Sequence, residues 1–355
     1  MNLTRESDFE DHYDSISVYS SDSSQQTESN DRHMKRVICP FEWKTTSTPC
    51  TDQTTRSRPG CFKSLWTEVI FITSICLSQV FDEYLTSGFF ALMPALTERL
   101  QPPGTSATWP AAITPLVISA FLLPFGRLAD MYGGFSVFVG GLAWAFTWTV
   151  LAGYTTDAIL FIVCRAMQGL GAAAYLPAGL AMLGRIYHAG TRKNMVFSVY
   201  GAMAPFGSFV GIFAANLVSR YDLWSEFFYI GAAVALLAVA GVALTRPATG
   251  ILRGDQATRM DWAGSVGVAT SLILLVYSII EAAEAKQTRR TAHVATAGAL
   301  ALTSSTVTAL LEFRFVCQPL IPASVVHIKY MCPLMAGLLL SYGAINVYAC
   351  YATLQ

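Results

Sequence analysis

Asp82 and Glu83 stand side by side near the middle of an otherwise apolar run, with Ser74, Ser78, Gln79, Thr86 and Ser87 around them at three- and four-residue spacing. On a helix that spacing makes one polar face. Ionisable groups at membrane depth are costly and are retained where they have a function, and a carboxylate pair there can carry a proton. Further along, Arg165, Gln168, Ala172 and Tyr175 share a second helical face. At ~1.5 Å rise per residue, Asp82 lies roughly 15 Å below the outer end of its run and Arg165 roughly 10–12 Å below the same surface. These nearly equal levels lead to the expectation that Arg165 faces Asp82 or Glu83 across a shared cavity, because a charge pair there costs far less than a lone charge. Two acids and one guanidinium leave one acid free to exchange a proton. A static ion pair bracing two helices is the other reading of the same residues.

The elements that must position these groups are spanning helices. The 355-residue chain is 53% hydrophobic and 13% charged, with a mean hydropathy of +0.45, well above the need of a soluble core. Nine apolar runs of about 20 residues, the length a bilayer requires, cover 66–95, 109–129, 134–154, 158–183, 195–218, 226–245, 262–281, 292–312 and 333–354. Trp66, Trp109, Trp224 and Trp262 mark span ends as an interfacial belt would. Residues 1–63 are rich in Ser and Asp and poor in aliphatics, so they read as a disordered tail, without the charged and apolar regions of a signal peptide. Lysines and arginines concentrate in this tail and at Arg127, Arg185, Arg192, Lys193, Arg246, Arg253, Arg259, Arg314 and Lys329. The opposite side holds Arg99, Arg220, Lys286, Arg289 and Arg290, so the N-terminus is expected in the cytosol. Zero net charge gives no basic face for nucleic acid, and the eight scattered cysteines give neither a disulfide framework nor a metal site. The dispersed histidines His12, His33, His188, His293 and His327 form no catalytic cluster, and neither an enzyme nor a cofactor is expected.

Three further segments carry recognisable patterns. After the second span, Gly126-Arg127-Leu128-Ala129-Asp130-Met131-Tyr132-Gly133-Gly134 makes a tight turn in which glycines allow close helix approach and Asp130 can accept from a helix N-terminus or an arginine. The fourth span holds Arg165-Ala166-Met167-Gln168-Gly169-Leu170-Gly171-Ala172-Ala173. Its Gly-x-Gly is no dinucleotide fingerprint, since no strand precedes it and it lies inside an apolar helix. In the fifth span Gly201, Pro205, Gly207 and Gly211 interrupt the helix: Gly207-x-x-x-Gly211 permits close packing and Pro205 kinks the helix.

In order and position these segments resemble the loop motif GxLaDrxGrk, the RxxqGxgaa element and the antiporter motif gxxxGPxxGG of the major facilitator superfamily. The cations that usually follow the aspartate are Met131, Gly134 and Phe135 here, and Ala204, Ser208 and Phe209 replace residues of the third motif. With two extra spans at 262–281 and 292–312, the chain looks most like the fourteen-span drug:proton antiporter branch, of the fungal multidrug and secondary-metabolite exporter type. That resemblance implies an all-α polytopic membrane protein: a cytosolic tail over 1–63, an N-terminal six-helix bundle over 64–246, a linker and two additional spans over 247–318, and over 319–355 the first span of an incomplete, C-terminally truncated second bundle. It also implies export of an amphipathic organic compound in exchange for protons across the plasma membrane. Asp82, Glu83 and Arg165 would couple the proton, Gln168, Gly169 and Tyr175 would line the substrate cavity, and Gly126, Asp130 and Gly133 would form a cytosolic latch. Two alternatives stay open here: a non-transporting membrane relic or sensor, and uptake of a small solute.

Overall fold

The computed structural model describes residues 62, 64–100, 109–245, 260–284, 288–315 and 330–354. The tail reading over 1–63, Phe62 apart, and most of the linker after the sixth span lie outside them. The described residues form helices α1 (Leu65–Leu100), α2 (Trp109–Tyr132), α3 (Gly134–Tyr154), α4 (Ala158–Ile186), α5 (Thr191–Arg220), α6 (Trp224–Leu244), α7 (Trp262–Glu284), α8 (Thr288–Phe315) and α9 (Met331–Leu354). Each corresponds to one apolar run of the sequence. The first seven are long and apolar enough to cross a membrane, while α8 and α9 contain shorter apolar stretches.

α1 packs on α5 and α6, α3 on α4 and α6, α2 on α4, and the α7–α8 pair leans on α2. Glu68 at the start of α1 meets Arg192 at the start of α5 and Tyr187 just beyond α4. Asp130 near the end of α2 meets Arg185 near the end of α4. These helix ends therefore share one end of the bundle, the near end. α4 and α1 are the most interior helices, with 56% and 44% of their apolar windows buried, and they are also the two that carry the polar faces.

Glycines set how closely the helices approach. A Cβ on Gly207 would come within 2.8 Å of the Val80 carbonyl, and one on Gly211 within 2.6 Å of the Tyr84 carbonyl, so α5 lies almost backbone to backbone on α1. On α4 the two glycines of the fourth-span element serve different neighbours. Gly169 abuts the Thr114 carbonyl of α2, and Gly171 abuts the Gly141 carbonyl of α3, each with 2.7 Å left for a Cβ. α5 stays one helix through the exposed Pro205, and Gly201 faces open space. Between α2 and α3, Gly133 adopts φ 97°, a backbone conformation that residues with side chains rarely take. Aromatic packing adds to the core: the Tyr84 ring stacks on Phe227 with centroids 4.6 Å apart, and its hydroxyl donates to the Phe227 carbonyl at 2.9 Å.

Gly211→Val and Gly171→Leu each overpack a backbone contact and should destabilise by about 1–3 kcal/mol or more. Gly201→Ala, with nothing within 4 Å, should leave stability unchanged or slightly higher. Melting temperatures of the purified chain in lipid nanodiscs check both expectations.

Candidate functional site

The polar centre lies where α1 passes between α4 and α5. Asp82 is half-buried, and its Oδ1 faces the hydroxyl of Tyr175 on α4 at 3.5 Å, a long contact that a small shift would tighten or break. Tyr175 is itself buried, with its ring tilted against Phe81 of α1 and edge-on to Phe138 of α3. Glu83 is one residue further, hence about 100° around the helix, and it turns toward α5. There Oε2 accepts from Ser208 at 3.0 Å and from Ser87 at 3.5 Å, while the Ser87 hydroxyl also lies 3.0 Å from that of Ser208. One helical turn toward the near end, the Tyr200 hydroxyl donates to Gln79 Oε1 at 2.7 Å. The two acids thus have different partners on different helices and do not share one guanidinium as expected.

Arg165 is 1% exposed. Its Nη1 donates to Gln168 Oε1 at 2.8 Å, Nη2 reaches the Leu85 carbonyl at 3.5 Å, and its Cζ lies 4.2 Å from the centre of the Phe89 ring. Among the described residues, Nε is buried without a hydrogen-bond partner. Among the described residues Arg165 makes no ion pair, which corrects the expectation of a direct meeting with Asp82 or Glu83. The reason is register: α4 brings the guanidinium to Leu85 and Phe89, one to two turns beyond Asp82, and brings Tyr175 to Asp82 instead. Asp82 and Arg165 still attract one another through space.

The other expected residues fall into helix contacts. Gln168 is buried between Arg165 and the Trp148 carbonyl of α3, which its Nε2 approaches at 3.5 Å. Gly169 packs against α2. At the near end Asp130 pairs with Arg185 at 2.9 Å, both partly exposed; α2 stays helical through Tyr132, so Gly126 lies inside it, where an added Cβ would stand 3.7 Å from Pro177, and Gly133 alone makes the turn expected to begin at Gly126. Gly207 and Gly211 form the α1–α5 contact.

Two features were not anticipated. Glu68 is buried in the first turn of α1 and holds Arg192 through both oxygens, at 3.1 and 2.7 Å, together with the Tyr187 hydroxyl at 2.8 Å. The available signal was a lone acid opening an apolar span. The second is an apolar cavity of about 410 Å³ between α2, α4 and α7, lined among others by Phe121, Phe125, Leu170 and Trp262. None of the polar residues named above lines it, so it is separate from the polar centre.

Residues 75–352 match the Major Facilitator Superfamily. The aminotriazole resistance protein of Saccharomyces cerevisiae is 32% identical over 299 residues, covering 82% of this chain and 55% of its own length. The low affinity ammonium transporter of the same yeast is 35% identical, over 61% of this chain and 44% of its own. The efflux pump terJ of Aspergillus terreus is 33% identical, over 60% and 42%. The chain thus spans about half the length of these curated relatives. Helices of spanning length, the polar face buried inside them and a match over most of its residues agree: the chain is a multi-pass membrane protein that belongs to the Major Facilitator Superfamily.

Proposed function

We propose that this chain serves proton-coupled export of an amphipathic organic compound, with Asp82 as the proton carrier. The observation that supports the reading most is the arrangement of Asp82 and Arg165. Among the described residues, a carboxyl with only a tyrosine hydroxyl in contact stands near a guanidinium with no carboxylate in contact. Buried charges left in that state are expensive, so each form of Asp82 calls for a different arrangement. Protonated, Asp82 needs no more than its Tyr175 neighbour. Ionised, it is drawn toward Arg165, and the pull acts directly on α1 and α4. A substrate entering beside Asp82 shifts this balance, and that shift is the coupling. Glu83, already held by Ser87 and Ser208, acts as a brace between α1 and α5 rather than as a second carrier.

The lysine and arginine distribution supports a cytosolic near end, where Asp130–Arg185 and the turn at Gly133 form a latch between the ends of α2 and α4, with Gly126 inside α2. Pro205 supplies a place for α5 to bend, since it removes one backbone hydrogen bond. Gln168 acts here as the holder of Arg165, and Tyr175 is the residue of the fourth span that faces Asp82. The names of the resistance protein and the efflux pump among the relatives support the export direction. The ammonium transporter supports a second reading, movement of a small cation, with the same carrier residue.

The test is a chimera in which residues 65–245 replace the matching helices of the aminotriazole resistance protein, reconstituted in vesicles with an imposed pH gradient. A fluorescent amphipathic cation should move against the proton flow. Asp82→Asn should reduce this flux to the level of empty vesicles, and Glu83→Gln should keep more than half of it. Equal flux in Asp82→Asn and parent would refute the carrier assignment, and ammonium movement without dye movement would favour the second reading.

A further inference from the structure

Neither the proton centre nor the loop latch uses Glu68. It lies in the first turn of α1, a place where side chains meet water or headgroups: Leu65, Trp66, Val69 and Ile70 around it are all exposed, Trp66 by 73%. Glu68 is nevertheless 1% exposed. Three donors from two other segments occupy its carboxylate. Tyr187 Oη and Arg192 Nε donate to Oε1 at 2.8 and 3.1 Å, and Arg192 Nη2 donates to Oε2 at 2.7 Å. Tyr187, just past the end of α4, is buried as well. The clasp therefore joins the near ends of α1, α4 and α5 at one point. With its carboxylate buried and Arg192 31% exposed, this ion pair contributes little net stability relative to a well-packed apolar replacement. What it offers instead is a contact that can open, since its members hydrate readily once separated, whereas an apolar plug does not.

The clasp stands over a dry stretch. Beyond it on α1, Phe71, Ile75 and Cys76 are buried, and Phe62 covers Phe71 with ring centroids 5.3 Å apart. Ser74 and Ser78 turn their hydroxyls to their own helix, onto the carbonyls of Ile70 and Ile75. The next polar contact between α1 and α5 is Gln79 with Tyr200, and after it come Glu83 with Ser208 and the level of Asp82. Eleven residues separate Glu68 from Gln79, about 16 Å of helix.

We propose that Glu68, Arg192 and Tyr187 form a seal at the near end of the α1–α4–α5 junction, keeping bulk water out of the seam that leads to Gln79, Glu83 and Asp82. The seal matters to coupling because a proton carrier reached by water along a second route would lose its proton without moving substrate. The cytosolic name of this end rests on the orientation given under Proposed function, but the seal itself does not.

Cys76 is a native reporter: a buried free thiol about 12 Å past Glu68 on the same helix. Cys164, buried near the opposite end of α4, serves as the internal control. The full chain, with its remaining cysteines replaced by alanine, is placed in vesicles of either sidedness and treated with a charged, membrane-impermeant maleimide. Labelling rates at both thiols are read by mass spectrometry. Glu68→Gln should raise the Cys76 rate about tenfold, the order expected from losing a hydrogen-bonded charge contact that holds a local opening closed. Tyr187→Phe, which removes one hydroxyl, should raise it several-fold, and the exchange Glu68→Arg with Arg192→Glu should bring it back toward the parent. Cys164 should stay constant throughout. An unchanged Cys76 rate in both single variants, or an equal rise at Cys164, would overturn the seal. A rise confined to Cys76 but seen from the external side would leave the seal standing and overturn the assigned orientation.

Discussion

A guanidinium sealed in the interior, with no carboxylate against it among the described residues, is the constraint from which the rest of this structure follows. Arg165 sits between an aromatic face, an amide oxygen and a distant backbone carbonyl, supplied by Phe89, Gln168 and Leu85. These neutral partners satisfy part of its hydrogen-bonding capacity but cannot cancel its charge. The nearby acid that could do so, Asp82, is held within Coulombic range and out of contact. Such an arrangement is costly in a membrane protein unless the separation is itself useful. On the function proposed above, that use is to make the interior sensitive to one proton.

Holding two charges close yet apart requires helices that do not drift. Glycine contacts provide that control. Gly207 and Gly211 fix α5 on α1, while Gly169 and Gly171 fix α4 between α2 and α3, so the two helices that carry charge are each bound by backbone approach to neighbours. Glu83 adds a polar brace to the first contact through Ser208. The Thr114 hydroxyl adds one to the second by donating to the Arg165 carbonyl at 3.0 Å. Charge ties at one end, Asp130–Arg185 and Glu68–Arg192, secure α2 to α4 and α1 to α5. Of these two, Glu68–Arg192 has the greater power to move helices when it breaks, because its carboxylate is buried whereas that of Asp130 is screened by solvent.

The helices themselves were legible, because a bilayer demands long apolar runs and the chain contains them; the span read at 134–154 is α3 without adjustment. The interior faces of α1 and α4 were legible too, through their polar residues at helical spacing. Partner choice was not. Depth arithmetic placed Arg165 within a turn or two of Asp82, yet a turn is the difference between an ion pair and a through-space attraction. The adjacency of Asp82 and Glu83 suggested a shared partner, whereas the 100° step between neighbouring helical residues sends them to α4 and α5. The glycines of the fourth span promised close packing without saying that one faces α2 and the next but one faces α3. Glu68 was not legible as a site, because an acid in a first turn satisfies helix-end electrostatics on its own, and its partners Tyr187 and Arg192 lie more than a hundred residues away.

The central claim is that Asp82, set apart from Arg165, is the interior group that binds and releases the proton. Infrared difference spectroscopy of the chain in lipid, recorded while pH is stepped, reads the carbonyl stretch of a protonated buried carboxyl directly. The account predicts one such band that disappears in Asp82→Asn and persists in Glu83→Gln. A band that survives Asp82→Asn and is lost with Glu83→Gln would contradict it.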